Sequence, residues 1–297
     1  MKKEEIKALA NKYGFDLEAG EWQVNESGLD FLVVLFKDAA HISWVLRIPR
    51  RTDVQKEIEK EQKILRLVQP NLSVQSPKWK VASNDLIVYR ALDGLPAGTI
   101  NKEEQRYDWV IDPEKLPTIY IESLAKGLVS LHSIPLEKIR DHGLSAPTID
   151  QIKEALQKRM DKVKREMGVS EKLWARWQKW MNEESMWPKH TGFIHGDLHP
   201  GHILIGANEE MTGFIDWTEG KVADVSTDFI GHLRTHGERE LSRLIQAYEQ
   251  AGGIVWPKMN EHVMELAATY PIDIAEFAIK SQSEEYIEMA RAALNEA

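Results

Sequence analysis

The stretch HGDLHPGHILIGANEEMTGFIDW, residues 195–217, constrains the fold of this chain more than any other segment. Its two short apolar runs, HILI and TGFID, flank the polar segment GANEEM, and this pattern predicts a β-hairpin at about 202–216. A hairpin brings its two ends together. Asp197 and His202, before the first strand, are therefore expected to lie close to Asp216 at the end of the second.

The spacing of these residues favours phosphoryl transfer. That reaction needs a carboxylate that orients the attacking hydroxyl and ligands for the Mg²⁺ that neutralises the phosphate oxygens. In the kinase pattern H-R-D-x-x-x-x-N, the base aspartate precedes a metal ligand by five positions, and a second metal-binding aspartate follows later. Here His202 stands five positions after Asp197, and Asp216 stands nineteen positions after it.

A different chemistry can also be written for the same histidines. His195, Asp197, His199 and His202 could ligate Zn²⁺ in a metal hydrolase. Zinc sites of that kind recruit ligands from distant loops, however, and the zinc interpretation leaves the Asp216 hairpin unexplained. A purely structural set, with histidines capping turns and aspartates paired, is the third alternative.

Composition limits the partners. The chain has 297 residues, 42% of them hydrophobic, and its 38 basic and 47 acidic residues give a net charge of −9. The charges are interspersed, which disfavours nucleic acid or an anionic membrane as the main partner and favours a small molecule. The absence of cysteine agrees with a cytoplasmic protein. No apolar run predicts a secretory signal or a membrane span.

The predicted elements change in character along the chain. The first ninety residues read as a helix, a hairpin (FLVVLF, 31–36, and HISWVLRI, 41–48), a helix over 54–68 capped by Thr52 or Asp53, and two more strands. Glycine and proline interrupt this pattern in LDGLPAGTI (92–100), the preferred boundary. Helices dominate beyond it, and the first of them, 117–134, carries an apolar stripe.

These features together resemble the kinases of small-molecule alcohols known as the aminoglycoside phosphotransferase-like group. Most of that group would carry Asn where this chain has His202, and HGDxxxGH followed by IDW is similar to the macrolide 2′-phosphotransferases. The similarity extends over nearly the whole chain, in NESGLDF (25–31), WVLRIPRR (44–51), LDGLPAGTI (92–100), MWPKHTGFIHGD (186–197) and YPIDIAEFA (270–278).

The resemblance implies an α+β, bilobal, protein-kinase-like fold. A small N-terminal lobe with an antiparallel sheet and a helix (1–91) would bind nucleotide, a hinge or linker would follow (92–100), and a larger, mainly helical lobe (101–297) would carry the catalytic loop. Tyr89 and Leu92 would contact the nucleotide at the hinge.

The resemblance also implies roles for single residues. Asp197 would be the catalytic base, and His202 and Asp216 would hold Mg²⁺. His195 would pack under the catalytic loop, and Asp228 would brace that loop through backbone hydrogen bonds. The donor would be GTP, with ATP as the other possibility.

The nucleotide-binding segments depart from the kinase pattern. A glycine-rich loop is missing, so Ser27, Gly28 and their backbone amides would have to cradle the phosphates. Arg47 stands where the strand lysine is expected, and a guanidinium can keep its charge role, although Arg50 and Arg51 are open alternatives. Its carboxylate partner on the next helix is Glu61 or, one turn earlier, Glu57.

Two apolar clusters could accommodate a bulky acceptor. Trp174, Trp177 and Trp180 recur every three residues on one predicted helix, which favours packing between helices over a ligand pocket. The second cluster, which could line an apolar groove, contains Tyr270, Pro271 and Phe277. Asp273 or Glu276 would suit a cationic amino group on the substrate.

The resulting hypothesis is a monomeric kinase that transfers the γ-phosphoryl group of GTP to the 2′-hydroxyl of a macrolide amino sugar and so inactivates the antibiotic. One alternative keeps the kinase but changes the acceptor to an aminoglycoside, choline or a sugar. His202 in place of Asn, and YPIDIAEFA in place of an acidic lining, argue against that acceptor class. The other alternative is a nucleotide-binding pseudokinase without turnover.

Overall fold

The computed structural model describes residues 1–26, 30–51, 54–101, 104 and 106–295. It divides into two compact units. Unit 1 comprises Met1–Val110 and Gly201–Gly220, and unit 2 comprises Ile111–Pro200 and Lys221–Ala297. The helix cap predicted at Thr52 or Asp53 lies outside the described residues. No helix in the described part of the chain is long and apolar enough to span a membrane.

Unit 1 combines strands with two α-helices in its described residues. The helices are α1 (Lys3–Lys12) and α2 (Gln55–Val68). The strands are β1 (Glu21–Asn25), β2 (Phe31–Lys37), β3 (Ser43–Pro49), β4 (Trp79–Ala82), β5 (Ile87–Arg90), β6 (Leu95–Pro96), β7 (Gly98–Asn101), β8 (Arg106–Trp109), β10 (Ile203–Ile205) and β11 (Met211–Phe214).

The main sheet of unit 1 is antiparallel and has the strand order β1-β2-β3-β5-β4. Because side chains alternate across a strand, β3 presents Trp44, Leu46 and Ile48 to a buried core that also contains residues of α1. Val45 and Arg47 face the opposite side. The alternation in the sequence therefore decides that Arg47 lies on the face away from α1.

Unit 2 is mainly helical. Its helices are α3 (Thr118–His132), α4 (Leu136–Asp141), α5 (Ile149–Met167), α6 (Glu171–Asn182), α7 (Thr227–Gln250), α8 (Met259–Ala267), α9 (Tyr270–Ser281) and α10 (Glu284–Asn295). Its strands are β9 (Gly192–Ile194) and β12 (Lys221–Ala223), which pair antiparallel.

Local sequence signals explain several of these helices. The stripe predicted on α3 is buried, with Leu124, Leu128 and Leu131 at most 1% exposed. Helix α5 begins with a capping box, in which the Thr148 hydroxyl accepts the N–H of Gln151 and the Gln151 side chain accepts the N–H of Thr148. The capping box fixes where α5 begins, and the buried apolar stripe determines which face of α3 packs against the rest of unit 2.

The lobe boundaries expected from the sequence, 1–91, 92–100 and 101–297, remain predictions. Residues 92–100 contain β6 and the beginning of β7. Strand β6 pairs with β10, so the hairpin of residues 201–220 is part of unit 1 although it is far from the rest of that unit in sequence.

Candidate active site

The hairpin β10–β11 positions His202 and Asp216. The two strands pair antiparallel, with Ile203 opposite Phe214. The N–H of Ile215 then donates to the carbonyl oxygen of His202 at 3.1 Å. This pairing places His202 Nε2 3.7 Å from Asp216 Oδ2. The hairpin predicted from the two apolar runs is confirmed, and its ends bring an imidazole and a carboxylate together.

Asp216 has an unusual backbone conformation. Its φ of 62° lies in the left-handed region, which aspartate visits more readily than most residues but still at a cost. The hydroxyl of Thr218 donates to Asp216 Oδ1 at 2.9 Å, and the carbonyl of Thr218 accepts from Lys60 Nζ at 2.7 Å. The hydrogen bonds of Thr218 thus hold the turn after β11 and fix the orientation of the Asp216 carboxylate.

A buried ion pair joins β3 to α2 beside that carboxylate. Arg47 Nη1 donates to Glu61 Oε1 at 2.7 Å, and both side chains are at most 7% exposed. Arg47 Nη2 lies 3.9 Å from Asp216 Oδ1, and its guanidinium lies over the ring of Phe31. Glu61 also accepts a hydrogen bond from the backbone of Trp217. The strand, the helix and the hairpin of unit 1 therefore converge on Arg47.

The competing residues named in the sequence analysis contact other groups. Arg50 donates to the carbonyl of Glu26, and Arg51 pairs with Asp30 at 2.7 Å. Glu57 lies on the exposed side of α2, 4.0 Å from Lys60. Arg47 and Glu61 are the arginine and glutamate that pair.

The charge of Arg47 is secured by its neighbours. Burial acts to lower the pKa of Arg47, but the negative charges of Glu61 and Asp216 outweigh that effect and hold the pKa above its ordinary value. A charged guanidinium can bind a phosphate group through two parallel hydrogen bonds.

Of the other residues predicted to contact nucleotide, Tyr89 is buried on the same sheet face as Val45 and Trp79, which flank it on the neighbouring strands. Burial raises the pKa of Tyr89 to about 12. Leu92 is half-buried just beyond β5. Ser27 and Gly28 lie outside the described residues.

In unit 2, Asp228 holds the loop that contains Asp197. The Asp228 carboxylate is buried and accepts the N–H groups of His195 and Gly196, both at 2.8 Å. Gly196 has a φ of 85°, a conformation that glycine adopts without strain. His195 is fully buried, and its Nδ1 accepts the N–H of Asp197 at 3.4 Å. The side chain of Asp197 is exposed at the tip of this braced turn.

Asp228 is itself kept ionised. Burial acts to raise the pKa of Asp228, but the hydrogen bonds from His132 and from the N–H of Gly196 hold it below its ordinary value. His132 Nε2 lies 3.1 Å from Asp228 Oδ2. An anionic oxygen accepts stronger hydrogen bonds than a neutral one, so the loop is attached to a charged anchor.

The same loop packs closely on α7. A Cβ added at Gly231 would collide with the carbonyl oxygen of Leu198 and come within 3.4 Å of His199 Cα. Gly231 lies three residues after Asp228, on the first turns of the helix. Helix α7 therefore binds the loop through the Asp228 carboxylate, and the absence of a side chain at Gly231 allows the loop backbone to pack closely on the helix.

The four residues proposed to contact the acceptor lie on α9. Tyr270 and Phe277 are about half exposed, at 49% and 50%. Asp273 pairs with Arg159 at 2.5 Å, and the same arginine contacts Glu276 at 2.7 Å. Pro271 is half-buried in the first turn of the helix. The two candidate carboxylates thus share one arginine, while the aromatic rings reach the surface.

The tryptophans of α6 pack inside unit 2. Trp177 and Trp180 are at most 3% exposed, and Trp180 stacks on Trp187 with ring centres 4.7 Å apart. Trp177 Nε1 donates to the carbonyl of Ala268. Trp174 is partly buried against the same core. The expectation that this cluster packs helices together is confirmed.

Some contributors to the site were not found from the sequence. His132 contacts Asp228 and Tyr248, and Gly231 contacts the backbone of Leu198. In each contact the two residues lie far apart along the chain. The apolar stripe on α3 predicts that this helix is buried, but it does not indicate which residues His132, at the end of the helix, contacts. Only the fold brings these residues to the loop.

Comparisons with known proteins agree with this geometry. The model of the phosphotransferase enzyme family matches residues 21–262. The uncharacterized protein YcbJ of Bacillus subtilis strain 168 is 40% identical over 290 residues, which cover 98% of this chain and 95% of that protein.

Two solved structures are similar over almost their full length. A macrolide 2′-phosphotransferase type I is 36% identical with a TM-score of 0.88, and the match covers 99% of this chain and 97% of that one. The macrolide 2′-phosphotransferase MphH of Brachybacterium faecium is 30% identical with a TM-score of 0.89, and the match covers 98% of both chains.

The fold and these matches define a kinase-like phosphotransferase that acts on an alcohol group. The chain belongs to the phosphotransferase enzyme family. The predicted fold class, α+β with an antiparallel sheet in one part and helices in the other, is confirmed, and so is the resemblance. Membership of this family favours phosphoryl transfer over the zinc-hydrolase interpretation.

We predict that Gly231→Ala will loosen the loop of residues 195–199, because the added methyl group requires the Leu198 carbonyl to move. Hydrogen–deuterium exchange measured by mass spectrometry should be faster in this loop, and the free energy of unfolding should fall by about 1–3 kcal/mol, as for other overpacked sites. Ser242→Ala, at an exposed position beyond the break in α7 at Gly237, is the control. Unchanged exchange in the loop would contradict the close packing.

Proposed function

We propose that this protein is a GTP-dependent kinase that transfers the γ-phosphoryl group to the 2′-hydroxyl of the amino sugar of macrolide antibiotics and thereby inactivates them. The observation that carries the proposal is the contact of the buried Arg47–Glu61 pair with Asp216, which itself lies beside His202 at the open end of the hairpin. In the same chain the HGD loop is braced by Asp228. The two macrolide 2′-phosphotransferases at 36% and 30% identity support the acceptor class.

In this mechanism Asp197 is the catalytic base. Its exposed carboxylate accepts the proton of the 2′-hydroxyl as that oxygen attacks the γ-phosphorus. A new oxygen–phosphorus bond forms, the bond from the γ-phosphorus to the bridging oxygen breaks, and the nucleoside diphosphate leaves. Little covalent chemistry is asked of the protein, so orientation of the hydroxyl and stabilisation of charge supply most of the rate.

His202 and Asp216 are the residues proposed to hold a divalent cation. Their donor atoms, a ring nitrogen and a carboxylate oxygen, are 3.7 Å apart and can share one ion. The strained backbone of Asp216 supports a functional role, because such conformations concentrate at ligand sites. When bound, Mg²⁺ neutralises the charge of the phosphate oxygens.

Arg47 is proposed to contact the phosphates of the donor, with Glu61 fixing its orientation. Ser27 and Gly28 are proposed to add backbone amides, and Tyr89 and Leu92 to contact the base. The donor is proposed to be GTP, with ATP as the alternative to be compared. This part of the proposal rests on the resemblance to the family and on the Arg47–Glu61 pair.

For the macrolide we propose the exposed aromatic side of α9, with Tyr270 and Phe277 against the apolar ring and Pro271 beside them. Asp273 is the proposed partner of the cationic dimethylamino group. Arg159 already pairs with Asp273 and with Glu276, so each carboxylate is partly neutralised before a substrate arrives. This pairing also disfavours a polycationic aminoglycoside as the acceptor at this surface.

The remaining parts of the proposal concern the state of the protein. We propose a monomer located in the cytoplasm, with a nucleotide-binding lobe at 1–91, a linker at 92–100 and a catalytic lobe at 101–297. A guanine nucleotide and a macrolide are its proposed partners, and nucleic acid and membranes are not.

We predict that Asp197→Asn will lower turnover about a hundredfold to ten-thousandfold, the usual contribution of a general base, without a change in thermal stability. Turnover is measured by mass spectrometry of erythromycin incubated with Mg²⁺ and either GTP or ATP. Kanamycin and choline are the competing acceptors. A rate in the variant close to that of the unaltered protein would refute the role of Asp197, and phosphorylation of kanamycin or choline alone would move the proposal to another acceptor.

We also predict that His202 makes the metal site more tolerant of Mn²⁺ than an all-oxygen site, because nitrogen ligands favour transition metals over Mg²⁺. His202→Asn should raise the Mn²⁺ concentration required for half-maximal activity by at least about tenfold, as losses of even outer partners do, with a smaller change for Mg²⁺. The activity is titrated with each metal. An equal shift for both metals would contradict the predicted preference for Mn²⁺, and no shift with either metal would show that His202 does not ligate the ion.

A further inference from the structure

A chain of buried hydrogen bonds connects the braced loop to the second segment of α7, which follows a break in the helix at Gly237 (φ 81°, ψ 178°). His132 Nε2 lies 3.1 Å from Asp228 Oδ2, and His132 Nδ1 lies 3.0 Å from the hydroxyl of Tyr248. The three side chains are at most 8% exposed. Asp228 in turn accepts the N–H groups of His195 and Gly196, directly before Asp197. Tyr248 is thus connected to the loop through two side chains.

The roles of donor and acceptor in this chain follow from Asp228. An ionised carboxylate can only accept, so the proton between it and His132 is on Nε2. In the neutral imidazole, Nδ1 then carries a lone pair and accepts the Tyr248 hydroxyl proton. The ring is therefore held at two opposite atoms. Without the second hydrogen bond, only the first one and the packing against Phe229 and Tyr248 would fix the orientation of the ring.

We propose that Tyr248 is a positioning residue of the phosphotransferase. By donating to Nδ1, Tyr248 fixes the His132 ring with its Nε2–H toward Asp228, and this keeps the Asp228 carboxylate in place under the N–H groups of His195 and Gly196. The effect on turnover rests on the proposed role of Asp197 as the base. The effect on the loop does not depend on that role.

A second chain of the same kind lies at the same corner of unit 2. His262 Nε2 lies 2.6 Å from Asp224 Oδ2, and Trp180 Nε1 donates to His262 Nδ1 at 3.1 Å. Asp224 accepts the N–H of Ser226 at 2.9 Å. This chain ends on the backbone N–H of Ser226, whereas the Tyr248 chain ends on the N–H groups of the loop. Substitution of Trp180 therefore provides a control, because it removes an aromatic donor to a buried histidine that does not contact the loop.

The first test needs no substitution. Long-range ¹H–¹⁵N NMR of the histidine rings in the unaltered protein reports which nitrogen of His132 carries the proton. We expect the proton on Nε2 and an unprotonated Nδ1. A proton on Nδ1 would overturn the proposal, because the ring could not then accept from Tyr248.

The second test compares Tyr248→Phe with Tyr120→Phe, the same change at a buried tyrosine of α3, and with Trp180→Phe. Tyr248→Phe should speed hydrogen–deuterium exchange of the His195 and Gly196 amides, and it should lower kcat about three- to tenfold, the size expected for one buried hydrogen bond. The KM for GTP should stay within about twofold of its original value, since the contribution of Tyr248 is to the transition state rather than to nucleotide binding.

The controls decide between positioning and general destabilisation. Tyr120→Phe and Trp180→Phe should leave exchange of the two amides and kcat unchanged. Equal effects in a control, or unchanged exchange in Tyr248→Phe, would overturn the proposal. Exchange is measured without substrate, so faster exchange combined with an active Asp197→Asn variant would support the link from Tyr248 to the loop while refuting the base.

Discussion

The buried carboxylate of Asp228 is the constraint on which the candidate site depends. An ionised group that is 1% exposed must be fully paired, because the effective penalty for burying an unpaired ion is several kcal/mol. Its partners come from separate segments, the turn at His195 and Gly196 and the end of α3 at His132. The Asp228 carboxylate obtains all these hydrogen bonds only when helix α3, helix α7 and the loop pack together. The exposed position of Asp197 is a consequence of that assembly.

In unit 1 the buried charge that requires a partner is the guanidinium of Arg47. Arg47 is buried beside Phe31 and requires a counter-ion, which Glu61 supplies at 2.7 Å. Removing one member of such a pair costs about 3–5 kcal/mol, because the other charge is left buried. The guanidinium still has a second carboxylate, Asp216, at 3.9 Å. A fixed positive charge held in place by two carboxylates is an arrangement that can bind a phosphate group.

The sequence predicted those parts of the molecule that depend on neighbouring residues. Short apolar, β-branched and aromatic runs predicted β2, β3, β5 and the β10–β11 hairpin. The hairpin in turn predicted the approach of His202 to Asp216. The choice between Glu61 and Glu57 required the packing of α2 on the sheet, because both lie on the same helix. His132, Tyr248 and Gly231 could not be predicted, since their partners lie 96, 116 and 33 residues away. Likewise, only the approach of α5 to α9 reveals that Arg159 neutralises Asp273 and Glu276.

The position of the phosphate in the product tests the family assignment and the proposed acceptor together. Two-dimensional ³¹P–¹H NMR of erythromycin treated with the protein, GTP and Mg²⁺ identifies the proton coupled to the new phosphorus. Coupling to the proton on carbon 2′ of the amino sugar is the predicted result. Coupling to a proton at another carbon, or release of inorganic phosphate without a coupled product, would contradict it.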